Sequence, residues 1–172
     1  MIKGLFTFLL INTCFAASDP SIYLCSRLNK EAQEWNNVVT KELDGFDIFR
    51  PQDLVVPYPP RQSDDHMIFL YDLEGMKKSD ILLVLPPYGR DCSWEIGWFC
   101  GQNRLTIAYA EKEGDWIRDA MVKGGLSAVI TNNALFYDAL QQDDATKNKS
   151  HLIHSKEALG EAIRRIWAEA NP

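Results

Sequence analysis

The sequence predicts an α/β domain in which helices cover both faces of a parallel sheet. Short apolar runs alternate with longer amphipathic segments along most of the chain, which is the order of parallel βαβ units. The run at residues 81–85, ILLVL, contains no polar side chain, as expected for a strand buried on both faces. The chain has 172 residues, 46% of them hydrophobic and 24% charged, and can therefore bury one sizeable core.

The individual elements follow from local patterns. Strands are predicted at residues 22–25, 46–49, 81–85, 105–110 and 127–130. Helices are predicted at residues 29–43, 65–78, 92–103, 116–121 and 156–170. The proline-rich segment 53–63 is expected to be a long loop, a feature that is often functional, and residues 141–150 a polar loop.

The first seventeen residues differ from the rest of the chain. Lys3 precedes an almost entirely apolar run at residues 4–15, and small residues follow at Ala16 and Ala17. This layout predicts a signal peptide at residues 1–17, a domain at 18–172, and export to the periplasm or beyond. The alternative is an N-terminal element of a cytoplasmic domain. The run is too short for a comfortable membrane span, and stable membrane insertion is not expected.

Charge and motif content restrict the class of ligand. The net charge is −6, and no stripe of Lys or Arg is present, so nucleic acid is not an expected partner. Cys14 would leave with the signal peptide, while Cys25, Cys92 and Cys100 show none of the spacings typical of zinc sites. The sequence contains neither a GxGxxG motif nor a P-loop. We therefore predict a small-molecule ligand, no metal and no cofactor.

Glu95 is the first candidate catalytic residue. It lies in the first turn of a predicted helix, directly after a buried strand, and ligands bind at the carboxyl ends of such strands. Stabilisation by the helix dipole alone would explain it. Alternatively, Trp94 and Trp98 exclude water from an ionised carboxylate, which suits covalent catalysis at a sugar carbon.

Three further side chains are candidates for the same site. Asp91 precedes the helix, where it either caps the helix or adds a second carboxylate. Asp72 lies within a predicted helix, where a solvated position is the default, but its apolar flanks also allow partial burial. Tyr23 lies in the first strand, next to the predicted third strand, and its buried hydroxyl would need a partner such as a carboxylate.

Three stretches together resemble the nucleoside 2-deoxyribosyltransferase family, which we take to include the related deoxynucleoside monophosphate hydrolases. They are IYLC, YDLEGMKKSDILLVLPP and SWEIGWFCGQNR, and the similarity runs from about residue 21 to the end. The resemblance implies a flavodoxin-like three-layer sandwich with a five-stranded parallel sheet. It also implies homo-oligomers whose active sites share residues between subunits, acting on a nucleoside and a free base.

The resemblance assigns roles to individual residues. Glu95 would be the nucleophile, Asp72 would help to protonate the leaving base, and Tyr23 would orient Glu95. Gly89 stands where many members carry an Asp, six residues before the nucleophile, and Asp91 takes that place if the loop is two residues shorter. The substrate-binding residues implied are Asp91, Ser93, Asp119, Met121 and Gln52.

Asp119 bears on the choice between nucleoside and nucleotide. The segment 116–125 resembles the part of the family that reaches towards the 5′ position of the sugar in a neighbouring subunit. The monophosphate hydrolases carry Ser directly before the Ala-Met pair, and the nucleoside transferases carry Asn. Asp119 is either a solvated surface residue or faces the ligand. In the second case its carboxylate accepts a hydrogen bond from a 5′-hydroxyl but repels a 5′-phosphate, which favours nucleosides.

Three functions are consistent with the sequence. The first is a nucleoside 2′-deoxyribosyltransferase that works through a covalent glycosyl-glutamate intermediate. The alternatives are an N-glycosidase that hydrolyses nucleosides or their 5′-monophosphates and a non-catalytic nucleotide-binding module of the same fold.

Overall fold

A six-stranded, entirely parallel sheet forms the centre of the computed structural model, which describes residues 19–54, 64–114 and 119–172. The strand order is β2-β1-β3-β4-β5-β6. The strands are β1 (Ile22–Cys25), β2 (Ile48–Phe49), β3 (Ile81–Val84), β4 (Leu105–Tyr109), β5 (Ala128–Thr131) and β6 (Ser150–Leu152). The helices are α1 (Lys30–Thr40), α2 (Asp65–Lys78), α3 (Cys92–Gly101), α4 (Ala120–Gly125), α5 (Ala134–Gln142) and α6 (Leu159–Ala170).

The predicted flavodoxin-like sandwich is confirmed, with one strand more than the five expected. β6 pairs in parallel with β5, with Ser150 opposite Val129. Its three residues are half-buried or exposed, because an edge strand has only one neighbour. It therefore lacks the apolar run by which the other five strands were predicted.

Two helices also differ from the prediction. α5 was not predicted, although Asn133 caps it by accepting from the N–H of Phe136, and Phe136 and Leu140 form its buried face. The helix expected at 116–121 lies later, because Asp119 is its cap and α4 begins at Ala120. Residues 115–118 are outside the described residues.

The sheet separates two hydrophobic cores. Tyr23 and Cys25 of β1 face α2, α3, α4 and α5, whereas Ile22 and Leu24 face α1 and α6. The alternation follows from the two-residue period of a strand. The side chains of Tyr23 and Cys25, which carry a hydroxyl and a thiol, therefore lie on the face of the sheet that α3 covers.

The strand order places a crevice between β1 and β3, at the carboxyl ends of the strands. β1 pairs with β2 on one side and with β3 on the other, so the chain reverses its direction of progression between β1 and β3. Ligands of open α/β sheets bind beyond the carboxyl ends of the strands at such a switch point. The loops that follow β1 and β3 therefore border the expected site.

Some predictions lie outside the described residues. The signal peptide at residues 1–17 and most of the loop at 53–63 are among them. The signal peptide, the export that depends on it, and the loop therefore stay predictions. Residues 51–53 form a 3-10 turn. Within the described ranges, no helix has the length and apolar character needed to cross a membrane.

Candidate active site

Glu95 is buried at the carboxyl edge of the sheet, where it meets Tyr23. The hydroxyl of Tyr23 donates to Oε1 of Glu95 over 2.7 Å. Tyr23 is fully buried and Glu95 is 6% exposed. The predicted pairing of these two side chains is therefore present in the structure, and it joins β1 to the first turn of α3.

The surroundings of Glu95 differ from those expected. Trp94 is 50% exposed and packs on Phe69, so it does not enclose the carboxylate. The buried thiols of Cys25 and Cys92 lie beside Glu95 instead. A helix directs successive side chains about 100° apart, so the immediate neighbour Trp94 points away while Cys92, three residues earlier, shares the face of Glu95.

Burial raises the pKa of Glu95 to about 7. Loss of hydration is the largest cause, and the charges of Asp91 and Asp72 act in the same direction. Hydrogen bonds from Cys25 and Tyr23 oppose the shift because they stabilise the carboxylate. Near neutral pH a substantial fraction of Glu95 is therefore ionised and poorly hydrated, as a carboxylate nucleophile requires.

Asp72 lies on α2 with one oxygen turned into the protein. Its Oδ1 is buried and has no hydrogen-bond partner among the described residues. Burial, followed by the charge of Asp91, raises the pKa of Asp72 to about 6. A carboxyl group with this pKa is protonated often enough near neutral pH to serve as a general acid.

Asp91 precedes α3 but does not cap it through its side chain. A Cβ added at Gly89 would collide with Oδ1 of Asp91, so the Asp91 carboxylate occupies the space beside Gly89. Asp91 thus occupies the cap position of α3, but its side chain does not cap the helix. The position of the carboxylate is consistent with Asp91 taking the place of the family's Asp, which the sequence has as Gly89.

An aromatic stack holds Tyr23 in place. Its ring stacks on Phe49 at 5.4 Å between centroids and contacts Phe99 at 6.2 Å. Phe49 in turn contacts Tyr71 and lies so close to Gly75 that any side chain there would collide with its ring. β2 and α2 therefore fix the position of the Tyr23 hydroxyl, which donates the hydrogen bond to Glu95.

Ser93 and Asp119 both lie near Tyr88. The hydroxyls of Tyr88 and Ser93 are 2.7 Å apart. Burial raises the pKa of Tyr88, and the nearby Asp119 carboxylate contributes to the increase. Oδ1 of Asp119 accepts from the N–H groups of Met121 and Val122, so this residue is the cap of α4.

The remaining two predicted contact residues, Gln52 and Met121, form no hydrogen bond with Glu95 among those of the described residues. Gln52 bonds to α1, since its Oε1 accepts from Asn36 at 2.8 Å and its Nε2 donates to Asn37. Asn36 also donates to Ser26 at 2.6 Å, at the end of β1. Met121 is 84% exposed, and its side chain therefore points away from the core.

A cavity of about 750 Å³ opens at the same edge of the sheet, on the side of α1. Trp35, Pro86, Tyr88 and Glu111 are among its lining residues, whereas Glu95 is not. Its volume suits a small ligand. Tyr88 is the residue that this cavity shares with the surroundings of Ser93.

Sequence reasoning missed two residues of the Glu95 site, Cys25 and Cys92. Each cysteine was judged by spacing along the chain, and such spacing contains no signal for two residues brought together by β1 and α3. An available signal was the alternation in β1, which places Cys25 on the same face as Tyr23.

We expect Glu95→Gln to stabilise the protein at alkaline pH. The pKa of Glu95 rises from 4.5 to about 7 on folding, so the stability present below pH 4.5 is lost as the pH rises through 7. The loss amounts to about 3 kcal/mol at about 1.36 kcal/mol per pH unit. Glutamine does not ionise and therefore avoids this loss of stability, and its side-chain oxygen can still accept the hydrogen bond from Tyr23. Melting temperatures should be well above wild type at pH 8 and similar at pH 4.5.

A matched control is Glu169→Gln, at an exposed position of α6. It should melt like the wild type at both pH values. A Glu95→Gln stability difference that does not change with pH would contradict the assigned cause.

Comparison with known proteins supports the fold. None of the protein-family models and none of the curated proteins compared matches the sequence. The structure is similar to a 2-deoxyribosyltransferase from Bacillus psychrosaccharolyticus, with a TM-score of 0.57 and 21% identity over 77% of this chain and 99% of that one. It is also similar to a conserved protein from Enterococcus faecalis V583, with a TM-score of 0.54 and 19% identity over 85% of this chain and 98% of that one. The chain thus has the fold of a 2-deoxyribosyltransferase.

Proposed function

We propose that the protein is a nucleoside 2′-deoxyribosyltransferase with Glu95 as nucleophile. The observation that supports this most directly is the buried Glu95 carboxylate, held by the Tyr23 hydroxyl at 2.7 Å at the switch point of the sheet. The residues that carry the sequence resemblance are the same ones that form this arrangement. The fold shared with a 2-deoxyribosyltransferase is consistent with it.

In the first half-reaction, a Glu95 carboxylate oxygen attacks C1′ of the deoxynucleoside. The new C–O bond forms as the C1′–N bond breaks, and the electron pair of the broken bond leaves with the base. The product is a glycosyl ester of Glu95. The Tyr23 hydrogen bond fixes the direction of the carboxylate, which reduces the entropy cost of reaching the attack geometry.

Asp72 supplies the proton in this scheme. Its protonated carboxyl group donates to the departing base, which leaves as a neutral molecule. In the second half-reaction a new base attacks C1′, Glu95 is released as a carboxylate, and Asp72 recovers a proton from the incoming base. Water in the place of the new base gives the N-glycosidase reaction instead.

The two reactions are distinguished by incubating the purified protein with deoxyinosine, with and without adenine. Transfer produces deoxyadenosine and hypoxanthine when adenine is present. Hydrolysis releases hypoxanthine in either mixture, without deoxyadenosine. Absence of both products would favour the non-catalytic module.

Glu95→Ala is expected to lower the rate of this exchange by at least about a thousandfold, because it removes the nucleophile. Chromatography of the bases and nucleosides measures the rate, and circular dichroism checks that the variant is folded. Retention of more than about a tenth of the wild-type rate would exclude Glu95 as the nucleophile. Cys100→Ser, at an exposed position of the same helix, should leave the rate unchanged.

We expect a bell-shaped pH profile of kcat/KM with a maximum between about 6 and 7. The productive state has Glu95 ionised and Asp72 protonated, and the respective pKa values are about 7 and about 6. Protonation of Glu95 lowers the rate on the acid side, and ionisation of Asp72 lowers it on the alkaline side. The two groups titrate as a coupled pair.

Asp72→Asn tests the assignment of the alkaline limb. Its kcat/KM should be lower and should no longer fall above pH 7, since the acid has been removed. A wild-type profile that is flat from pH 5 to 8 would contradict both assignments.

The preference for nucleosides over 5′-monophosphates depends on Asp119 in this proposal. Asp119→Ser should lower the ratio of kcat/KM for the nucleoside to kcat/KM for the 5′-monophosphate, because the charge that repels the phosphate is lost. Serine also caps helices well, so α4 should remain intact. Asp119→Asn, which keeps the cap and removes the charge, should lower this ratio as well. A wild-type preference for the monophosphate would favour the nucleotide hydrolase.

We also propose that the protein forms homo-oligomers through the surface around α2. Large apolar side chains are exposed there and on neighbouring helices, and such a patch is typical of an interface. They are Met67, Phe69 and Leu70 on α2, Trp94 on α3 and Met121 on α4. An interface at this surface would bring Met121 and Asp119 of one subunit towards the site of another.

Phe69→Asp should therefore shift the sedimentation coefficient of the protein towards that of a monomer, because it places a charge in an apolar contact. Leu135→Asp is the matched control, since Leu135 is 82% exposed but lies on α5. A wild-type protein that sediments as a monomer at micromolar concentration would refute the oligomer.

A further inference from the structure

Two thiols and a carboxylate converge beside the proposed reaction centre. One ligand atom from each of Cys25, Cys92 and Glu95 lies within 4.8 Å of the other two, and all three residues are buried. Cys25 is the last residue of β1, Cys92 is the first residue of α3, and Glu95 follows one helical turn later. The set is therefore built on rigid elements rather than on loops.

The spacing is close to that of a metal site. Zn²⁺ binds thiolate sulfur at about 2.3 Å and carboxylate oxygen at about 2.0–2.2 Å, so ligand atoms in one tetrahedral shell lie about 3.5–4 Å apart. The three atoms here need to move by no more than about an ångström to reach such a shell. Rotation about the short side-chain bonds of cysteine supplies movements of that size.

The electrostatic surroundings favour a cation. The charges of Asp72 and Asp91 both act on Glu95, and the buried Oδ1 of Asp72 has no hydrogen-bond partner among the described residues. A dication would relieve the repulsion among these carboxylates. The N–H of Gly89 donates to Sγ of Cys92 at 3.2 Å, which orients the sulfur as an outer-shell hydrogen bond does in a metal site.

We propose that Cys25, Cys92 and Glu95 bind a thiophilic divalent cation of the Zn²⁺ and Cd²⁺ class, and that the bound ion switches the protein off. Two sulfurs and one carboxylate select this class over Mg²⁺ and Ca²⁺, which prefer all-oxygen shells. Binding displaces the thiol protons to solvent and uses a lone pair of Glu95, so the carboxylate is no longer a nucleophile. The binding site itself does not depend on the proposed function.

The test uses the full chain carrying Cys14→Ser and Cys100→Ser, so that Cys25 and Cys92 are its only thiols. The protein is stripped of metal, reduced with a phosphine, and titrated with CdCl₂ and then with ZnCl₂. We expect one ion per chain, an ultraviolet thiolate-to-cadmium charge-transfer band, and an increase in melting temperature with ion concentration.

Removing a ligand should weaken binding in a graded way. Cys25→Ser or Cys92→Ser should each raise Kd by at least about a hundredfold, more than the loss of an outer-shell partner costs. Cys25→Ala and Cys92→Ala repeat the test if a serine variant does not fold. Glu95→Gln should weaken binding but keep the charge-transfer band, because both thiolates remain.

The inference is overturned if the reduced protein shows no charge-transfer band, or if a folded variant without both cysteines binds Cd²⁺ as tightly as its parent. A Cys25–Cys92 disulfide that resists the phosphine would overturn it too. For base exchange, one equivalent of Zn²⁺ should abolish the reaction and a chelator should restore it. A protein that exchanges no bases under any condition would refute the proposed function, while the cadmium titration would still decide the metal site.

Discussion

The burial of one ionisable carboxylate, Glu95, is the constraint on which the rest of the site depends. Removing a carboxylate from water is costly, and the protein offsets only part of the cost with hydrogen bonds from Tyr23 and Cys25. The raised pKa of about 7 reflects the part that is not offset, together with the charges of Asp91 and Asp72. In the proposed reaction, the same balance would make Glu95 a better nucleophile than a well-hydrated carboxylate, because less water must be removed before it attacks.

The elements around Glu95 serve this balance in different ways. β1 contributes Tyr23 and Cys25, α3 contributes Glu95 and Cys92, and α2 places Asp72 close enough to influence the charge. Phe49 of β2 keeps the Tyr23 ring in position. A buried carboxylate with a raised pKa and two adjacent thiols can accept either a proton or a soft cation. Proton and cation would therefore compete for the same group, and acidity would weaken metal binding.

Much of the architecture could be predicted from the sequence because inner parallel strands have a strong signal. The runs that became β1, β3, β4 and β5 are apolar, since each is covered on both faces. The edge strand β6 was missed because it is covered on one side only. The predicted elements occur in the expected order, with α5 and β6 added, and their bounds differ by a few residues where a cap decides the start, as at Asp119.

The site was predictable where a motif fixed a residue and unpredictable where only the fold brings residues together. Glu95 and Tyr23 were expected to meet, and they do. The expectation that Trp94 and Trp98 enclose Glu95 was wrong for Trp94, because the helix turns it outwards onto Phe69.

The Tyr23–Glu95 hydrogen bond joins residues 72 positions apart in the chain. In a sheet built only from parallel pairs, each pairing closes a long loop, and such topologies fold slowly. The bond can form only after β1 has paired with β3 and α3 has packed against both. A collapsed chain with most of its helices but an unpaired β1 would therefore hold Glu95 without its donor. Recovery of the Tyr23–Glu95 hydrogen bond during refolding would follow the completion of the central strands rather than the recovery of helix content.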